Sequence, residues 1–111
     1  MDPRLLTGTV DLLILEVLSR GESYGYQLAQ TVLAQSGERF ELKEGSLYPA
    51  LHRLERQKWL KAFWRDTTEG RRRKYYRLTP KGRDALDAKR QEWSQFAQAV
   101  NGVLGSSHVV A

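Results

Sequence analysis

The stretch Gly45-Ser-Leu-Tyr-Pro-Ala-Leu-His-Arg-Leu-Glu55 has the pattern of one short amphipathic helix, and the predicted fold is arranged around it. Leu47, Leu51 and Leu54 are spaced by four and then three residues, so they share one face of a helix. An apolar face of this kind packs into a core. The sequence therefore predicts a helix whose leucines pack into the core and whose opposite face lies outside the core.

The ends of this helix are predicted from capping rules. Ser46 is the expected N-cap, which would put Pro49 in the first turn, where N–H groups have no intrahelical partner. The helix is expected to end near Lys58.

The opposite face of the helix carries hydroxyl groups, an aromatic ring and positive charge. Its residues are Ser46, Tyr48, His52, Arg53 and Arg56. In a DNA major groove an Arg side chain can donate two hydrogen bonds to guanine, and hydroxyl groups reach phosphate oxygens. A solvated helix face has much the same composition, so this helix alone leaves both interpretations open.

The distribution of charge favours nucleic acid. The chain has 111 residues, enough for one domain, and a net charge of +5. Residues 53–83 hold twelve Lys and Arg against three acids, a net +9, whereas the other segments hold six against ten, a net −4. The alternative is that a basic segment only keeps the protein soluble. Here it adjoins the amphipathic helix, as expected for a surface that binds a polyanion.

Other features limit the class of protein. The chain has no cysteine, no apolar run long enough for a membrane span and no signal-peptide pattern, so a cytoplasmic protein without membrane association is expected. His52 lies on the predicted DNA face and His108 in the tail, and neither belongs to a catalytic or metal-binding group. We therefore expect no enzymatic activity, no metal and no cofactor.

The order of elements predicts a mainly α fold with a small β-hairpin (α+β). Helices are expected at residues 9–20 and 24–35, a short strand at 40–42, a hairpin at 59–78 with a polar tip at 66–73, and a last helix at 80–102 that Thr79 caps. This is the order of a winged helix-turn-helix with an added C-terminal helix. The expected division is a DNA-binding domain at 1–79, a dimerisation helix at 80–104 and a flexible tail at 105–111.

Two motifs resemble those of the PadR-type bacterial transcriptional regulators. They are Glu44-Gly-Ser-Leu-Tyr-Pro-Ala-Leu-His-Arg-Leu-Glu55 and Arg73-Lys-Tyr-Tyr-Arg-Leu-Thr-Pro-Lys-Gly82. The resemblance implies a dimeric regulator, usually a repressor, that binds an inverted repeat and is often released by a small molecule. It assigns Ser46, Tyr48 and Pro49 to the recognition helix and residues 73–76 to the wing. The family usually has a glycine that closes the recognition helix, whereas this chain has Gln57-Lys58-Trp59 there. The resemblance therefore implies either a less sharp turn into the first wing strand or a left-handed backbone conformation of Lys58 at some strain.

The predicted DNA-binding residues lie on the recognition helix and in the hairpin tip, where the arginines are expected in a flexible loop. They are Lys43, Ser46, Tyr48, Pro49, His52, Arg53, Arg56, Arg71, Arg72, Arg73 and Lys74. A heptad-spaced apolar stripe on the last helix, together with the first helix, predicts a homodimer interface. Its residues are Leu12, Leu86, Trp93, Phe96, Ala97, Val100 and Leu104.

Trp93 and Phe96 are also candidate contacts for a small aromatic effector, because a dimer interface readily forms an apolar cavity. The alternative is that Trp93 only packs in the interface and senses nothing. Two alternatives to specific regulation remain: a sequence-neutral architectural binder of nucleic acid, and a winged helix that binds a protein partner. The base-edge chemistry of the recognition helix and the family resemblance favour double-stranded DNA as the partner.

Overall fold

Residues 8–105 form four helices and a three-stranded sheet. The structure, a computed structural model, describes residue 6 and residues 8–105. The elements are α1 (Val10–Ser19), β1 (Ser23–Tyr24), α2 (Gly25–Gln35), α3 (Glu44–Arg56), β2 (Leu60–Asp66), β3 (Arg72–Leu78) and α4 (Pro80–Leu104). The predicted α+β winged-helix class is confirmed. Most of the predicted tail, residues 106–111, lies outside the described residues.

The sheet is antiparallel with the order β1-β3-β2. The hairpin pairs Leu60 with Leu78 at its base and Asp66 with Arg72 near its tip. The predicted strand at 40–42 is wrong, because that segment is not in the sheet although Leu42 is buried. The third strand is instead β1, which pairs with Tyr76 and Tyr75 along the other edge of β3.

The hydrophobic core is built around α1 and α3. Leu47, Leu51 and Leu54 of α3 are buried, as the leucine spacing predicts, and each contributes about 1.5–3 kcal/mol relative to an exposed side chain. Ile14 and Leu15 of α1 are fully buried. Helix α1 contacts α2, α3, β3 and α4. This central position accounts for its broad apolar surface within one subunit.

Helix α3 begins two residues before the predicted N-cap. Its N-cap is Lys43, whose carbonyl accepts hydrogen bonds from the N–H groups of Ser46 and Leu47 at 2.9 and 2.8 Å. Pro49 consequently lies inside the helix, which corrects the prediction that it occupies the first turn. Proline has no N–H, so the Gly45 carbonyl lacks its usual intrahelical donor. Both residues are exposed, and water can satisfy that carbonyl.

Of the two alternatives for the turn after α3, the structure shows the left-handed conformation of Lys58. Its φ is 67°, in the left-handed region. The N–H of Lys58 donates to the Glu55 carbonyl at 2.9 Å, and the N–H of Trp59 donates to the Leu54 carbonyl at 3.1 Å. This pair of bonds is the Schellman arrangement, which usually carries glycine at the left-handed position. A lysine there costs about 1–2 kcal/mol of backbone strain.

Helix α4 starts inside the core and then projects beyond it. The Thr79 hydroxyl accepts a hydrogen bond from the Gly82 N–H at 2.9 Å, so the predicted cap is confirmed. Leu86 is only 1% exposed. Its assignment to a dimer interface is therefore wrong, because its side chain is already buried in its own subunit. From Asp87 to Leu104 no residue is buried.

Candidate nucleic-acid interface

The outward face of α3 is exposed along its whole length. Gly45, Pro49, His52 and Arg56 follow one another along the side opposite the buried leucines, and all four are exposed. Because Leu47, Leu51 and Leu54 are fixed in the core, the backbone beneath this face is rigid. Side chains held in this way can be placed accurately against the edges of bases.

Arg53 lies on one flank of α3 rather than at the centre of its outward face. Its guanidinium donates a hydrogen bond to the carboxylate of Asp11 on α1. The side chain is 46% exposed, so this ion pair is accessible to solvent. The Asp11 carboxylate therefore competes with a base or a phosphate for part of the Arg53 guanidinium.

The wing, which is the β2–β3 hairpin, is more ordered at its tip than predicted. Arg72 and Arg73 belong to β3, so the prediction that they lie in a flexible loop is wrong. The loop that remains is closed by Thr67, whose N–H and hydroxyl donate to the Arg71 carbonyl at 2.9 and 2.7 Å. Gly70 supplies the positive φ, 76°, that this short turn needs.

The wing cations rest on aromatic rings. The Arg73 guanidinium lies 4.3 Å from the centre of the Tyr24 ring and 3.4 Å from a Glu69 oxygen. Arg72 lies 5.6 Å from the Trp64 ring. A contact with an aromatic ring holds a charged side chain in place without neutralising it, whereas Glu69 partly offsets the charge of Arg73. Arg71 and Arg72 are exposed, whereas Arg73 is half-buried.

An aromatic row crosses the sheet and stiffens the wing. The ring of Tyr75 contacts Tyr24 of β1 at 5.4 Å and Phe63 of β2 at 5.9 Å between centres. Arg65 lies 4.5 Å above the Tyr75 ring and donates to the Glu22 carboxylate at 2.5 Å. That hydrogen bond raises the pKa of the Arg65 guanidinium. All three strands are thereby joined by side chains as well as by the backbone.

A cleft of about 660 Å³ separates α3 from the wing, and the start of α2 forms its end wall. Its polar and charged lining consists of His52, Arg71, Arg73 and Lys74. Its other lining residues are Tyr24, Gly25, Tyr26, Tyr48, Trp64 and Tyr76. The structure therefore brings together predicted residues from the recognition helix and from the wing. The other predicted DNA-binding residues do not line the cleft: Lys43, Ser46, Pro49, Arg53, Arg56 and Arg72.

Five residues of the cleft were not predicted from the sequence: Tyr24, Gly25, Tyr26, Trp64 and Tyr76. Gly25 makes room for the Tyr48 ring, since a Cβ atom on Gly25 would lie 2.7 Å from the Tyr48 hydroxyl oxygen. Burial raises the pKa of the Tyr76 hydroxyl, and the nearby charge of Glu55 adds to the effect. Tyr76 is therefore a neutral hydrogen-bond donor at ordinary pH. In the sequence, the one indication of this part of the cleft was the glycine between two tyrosines at 24–26.

Comparison with known proteins identifies the family. The model of the transcriptional regulator PadR-like family matches residues 14–88. A transcriptional regulator of Mycobacterium tuberculosis is 39% identical over 99 residues, covering 89% of this chain and 87% of the relative. The chain belongs to the PadR-like family of transcriptional regulators.

Solved structures of transcriptional regulators share most of this fold. A transcriptional regulator from Clostridium thermocellum superposes with a TM-score of 0.84 at 33% identity, covering 92% of this chain and 99% of that one. A PadR family regulator from Clostridium difficile gives a TM-score of 0.75 at 37% identity, with 87% and 99% covered. PadR-family regulators bind DNA and are not enzymes. No helix among the described residues is long and apolar enough to cross a membrane.

The projecting part of α4 in this PadR-family chain carries an exposed apolar face. Trp93, Phe96, Val100 and Leu104 are 48%, 62%, 40% and 58% exposed, and Ala97 lies half-buried among them. The Trp93 and Phe96 rings are 6.0 Å apart and border a shallow groove of about 570 Å³. Leu12 of α1 is half-buried against the core. This face contains the predicted dimer-interface residues of α4 other than Leu86.

Proposed function

We propose that this PadR-family regulator is a cytoplasmic repressor that binds an inverted-repeat operator in double-stranded DNA as a homodimer. The observation that carries the proposal is that the exposed face of α3 and the cations of the wing border the same cleft. A helix in the major groove and a basic hairpin beside it bind neighbouring parts of one duplex. Two copies related by a twofold axis would bind two half-sites.

The homodimer is supported by the apolar face of α4. This face has four large side chains, and none of the residues that the structure describes covers it. A second copy of the same helix offers a matching apolar face, so a twofold contact would cover both at once. Leu12 is a candidate contact at the edge of that interface.

Two alternatives make different predictions. A sequence-neutral architectural protein would use the same wing cations but would bind most duplexes equally well. A winged helix that binds a protein partner would show little affinity for DNA. In vitro selection from a random duplex library with the full chain distinguishes them: recovery of an inverted repeat supports the operator-binding repressor, and recovery of no common sequence contradicts it.

The wing is expected to provide affinity and the recognition helix specificity. Replacing both Arg71 and Arg72 by alanine removes two exposed cations per subunit. The slope of log affinity against log salt should flatten by about 1.8 per subunit, since each neutralised phosphate contributes about 0.9. The affinities for the selected duplex and for random duplexes should fall by the same factor. The charge-matched control is Lys81→Ala with Arg83→Ala, two exposed residues of α4 that do not line the cleft.

Arg53→Ala should instead reduce specificity. A lost bidentate contact with a base costs about 1–3 kcal/mol on the selected duplex and much less on random DNA. Asp11→Asn is the matched variant, because it frees Arg53 from its ion pair and should tighten binding. If Arg53→Ala and Asp11→Asn both weaken binding equally on every duplex, the ion pair is structural and Arg53 does not recognise bases.

We further propose that a flat aromatic compound binds beside Trp93 and Phe96 and releases the DNA. The groove next to these rings supports this, because a partner helix would close it into an apolar cavity. In a Trp59→Phe, Trp64→Phe background, such a compound should quench Trp93 fluorescence and lower the affinity for the selected duplex. Quenching by no member of an aromatic library would leave packing as the role of Trp93.

A further inference from the structure

The start of α2 forms an uncapped, positive wall of the cleft. The N-cap residue, Tyr24, makes no side-chain hydrogen bond to the helix, and the first turn contains no acidic residue. The N–H groups of a first turn have no intrahelical acceptors, and together they carry a partial positive charge. With eleven residues, α2 is long enough for this charge to be appreciable. An acceptor for these groups must come from outside the helix.

A buried hydroxyl opens onto the same cleft. Tyr76 is only 1% exposed and lines the cleft wall. Within residues 8–105 no hydrogen bond uses its hydroxyl, and no enclosed side-chain oxygen or nitrogen lacks a partner. The hydroxyl oxygen therefore reaches the cleft rather than being sealed beneath it. A neutral donor in this position, without a protein acceptor, points to a polar ligand.

The remaining polar groups around the cleft are mostly cationic or hydroxyl donors. The Tyr48 hydroxyl sits against Gly25, at the start of α2. The Lys74 ammonium lies 3.8 Å from a Glu55 oxygen, and Arg73 lies 3.4 Å from Glu69. Both pairs are partly exposed, so they are weak and can be exchanged for another anion. Donors converging from α2, α3 and the wing favour one shared acceptor with several oxygens.

We propose that the cleft binds one backbone phosphate of the DNA duplex, through the Tyr48 and Tyr76 hydroxyls, the Lys74 ammonium and the first-turn N–H groups of α2. This inference rests on the proposed DNA-binding function. A volume of about 660 Å³ exceeds that of a phosphate, so the adjoining deoxyriboses can enter as well. DNA that spans from α3 to the wing must pass over this opening. A phosphate held there fixes the register of α3 along the major groove.

The test uses a duplex recovered by in vitro selection and a series of derivatives, each with one phosphate replaced by a neutral methylphosphonate. Fluorescence anisotropy with the full-length protein measures the affinity for every derivative at one salt concentration. At one position in each half-site, the substitution should weaken binding about tenfold, because charge-assisted hydrogen bonds are lost there. That penalty should fall to about twofold in Lys74→Gln and in Tyr76→Phe. It should persist in Lys81→Ala.

Gly25→Ala provides an independent check of Tyr48. The added methyl group would overlap the Tyr48 ring and move it away from the start of α2. The penalty at the same phosphate should therefore shrink, as it should in Tyr48→Phe, which removes only the hydroxyl. Circular dichroism melting curves verify that each variant is folded. If Gly25→Ala does not fold, Tyr48→Phe and Lys74→Gln still provide the comparison.

The outcomes separate this inference from the function it rests on. If selection recovers no site, the proposed function fails. If it recovers a site but no methylphosphonate penalty depends on Lys74 or Tyr76, the phosphate site is overturned and the operator-binding function stands. Calorimetry with inorganic phosphate alone tests whether the cleft is instead a site for a free anion. Binding of free phosphate that is lost in Lys74→Gln, without any penalty on the duplex, would mean a free-anion site and would also overturn the proposal.

Discussion

Replacing Phe96 by aspartate is expected to dissociate the protein into monomers. Phe96 is 62% exposed at the middle of the apolar face of α4. A twofold interface contains this residue twice, and burying both rings contributes about 3–6 kcal/mol. The dimer dissociation constant should therefore rise by roughly 10²–10⁴-fold. Sedimentation velocity or light scattering across a range of protein concentrations measures this directly.

The same variant should lose the affinity that depends on two linked half-sites. A monomer binds one half-site only, so the gain from the effective concentration of the second recognition helix is lost, commonly about 10²–10⁴-fold. Gln95→Asp is the matched control, since it adds the same charge at an exposed position that does not border the groove. A monomeric wild-type protein, or a Phe96→Asp variant that remains dimeric, would show that α4 is not the interface.

The parts of the fold that could be predicted from the sequence are those with a local periodic signal. The leucines of α3 repeat at the spacing of a helical face, and they lie in the core. The left-handed Lys58 was one of two alternatives raised by the resemblance to the family, which usually has a glycine that closes this helix. Thr79 followed by Pro80 is a local capping pattern, and it correctly predicted the start of α4.

Two of the errors involve contacts between distant parts of the chain. Strand β1 has two residues, too few for any alternation, and it exists because β3 leaves one edge free to pair with it. Leu86 fits the heptad spacing of Trp93 and Val100, yet it is buried because the first turns of α4 pack on the core. Periodicity shows which side chains share a face but not which partner covers that face.

The cleft was only partly predictable for a similar reason. Its cations are adjacent in the sequence, so the basic segment revealed them. Its floor and end wall come from β3 and from the start of α2, and their approach to α3 depends on the contact between Gly25 and Tyr48. A glycine needed for such a contact looks the same in a sequence as a glycine in any turn. These two kinds of glycine can be distinguished only in the folded structure.

Gly82→Ala is expected to destabilise the protein although the substitution replaces glycine within a helix. At an exposed helical position this change usually adds about 0.5–1 kcal/mol of stability. At Gly82 the new Cβ atom would lie 2.1 Å from the Trp59 carbonyl oxygen and 2.8 Å from Leu78 Cδ1. The carbonyl belongs to the turn that also holds Thr79, so it cannot move without disturbing the cap of α4.

The steric conflict should outweigh the gain in helix propensity and leave a net loss of about 1–3 kcal/mol. For a domain of this size each kcal/mol lowers the melting temperature by about 4–8 °C. Gly102→Ala, in the same helix, is the matched control, because no atom lies within 4 Å of its added Cβ. It should raise the melting temperature slightly. Opposite shifts at one fixed protein concentration would show that Gly82 is needed for close packing of α4 on the turn after α3, whereas equal shifts would contradict that role.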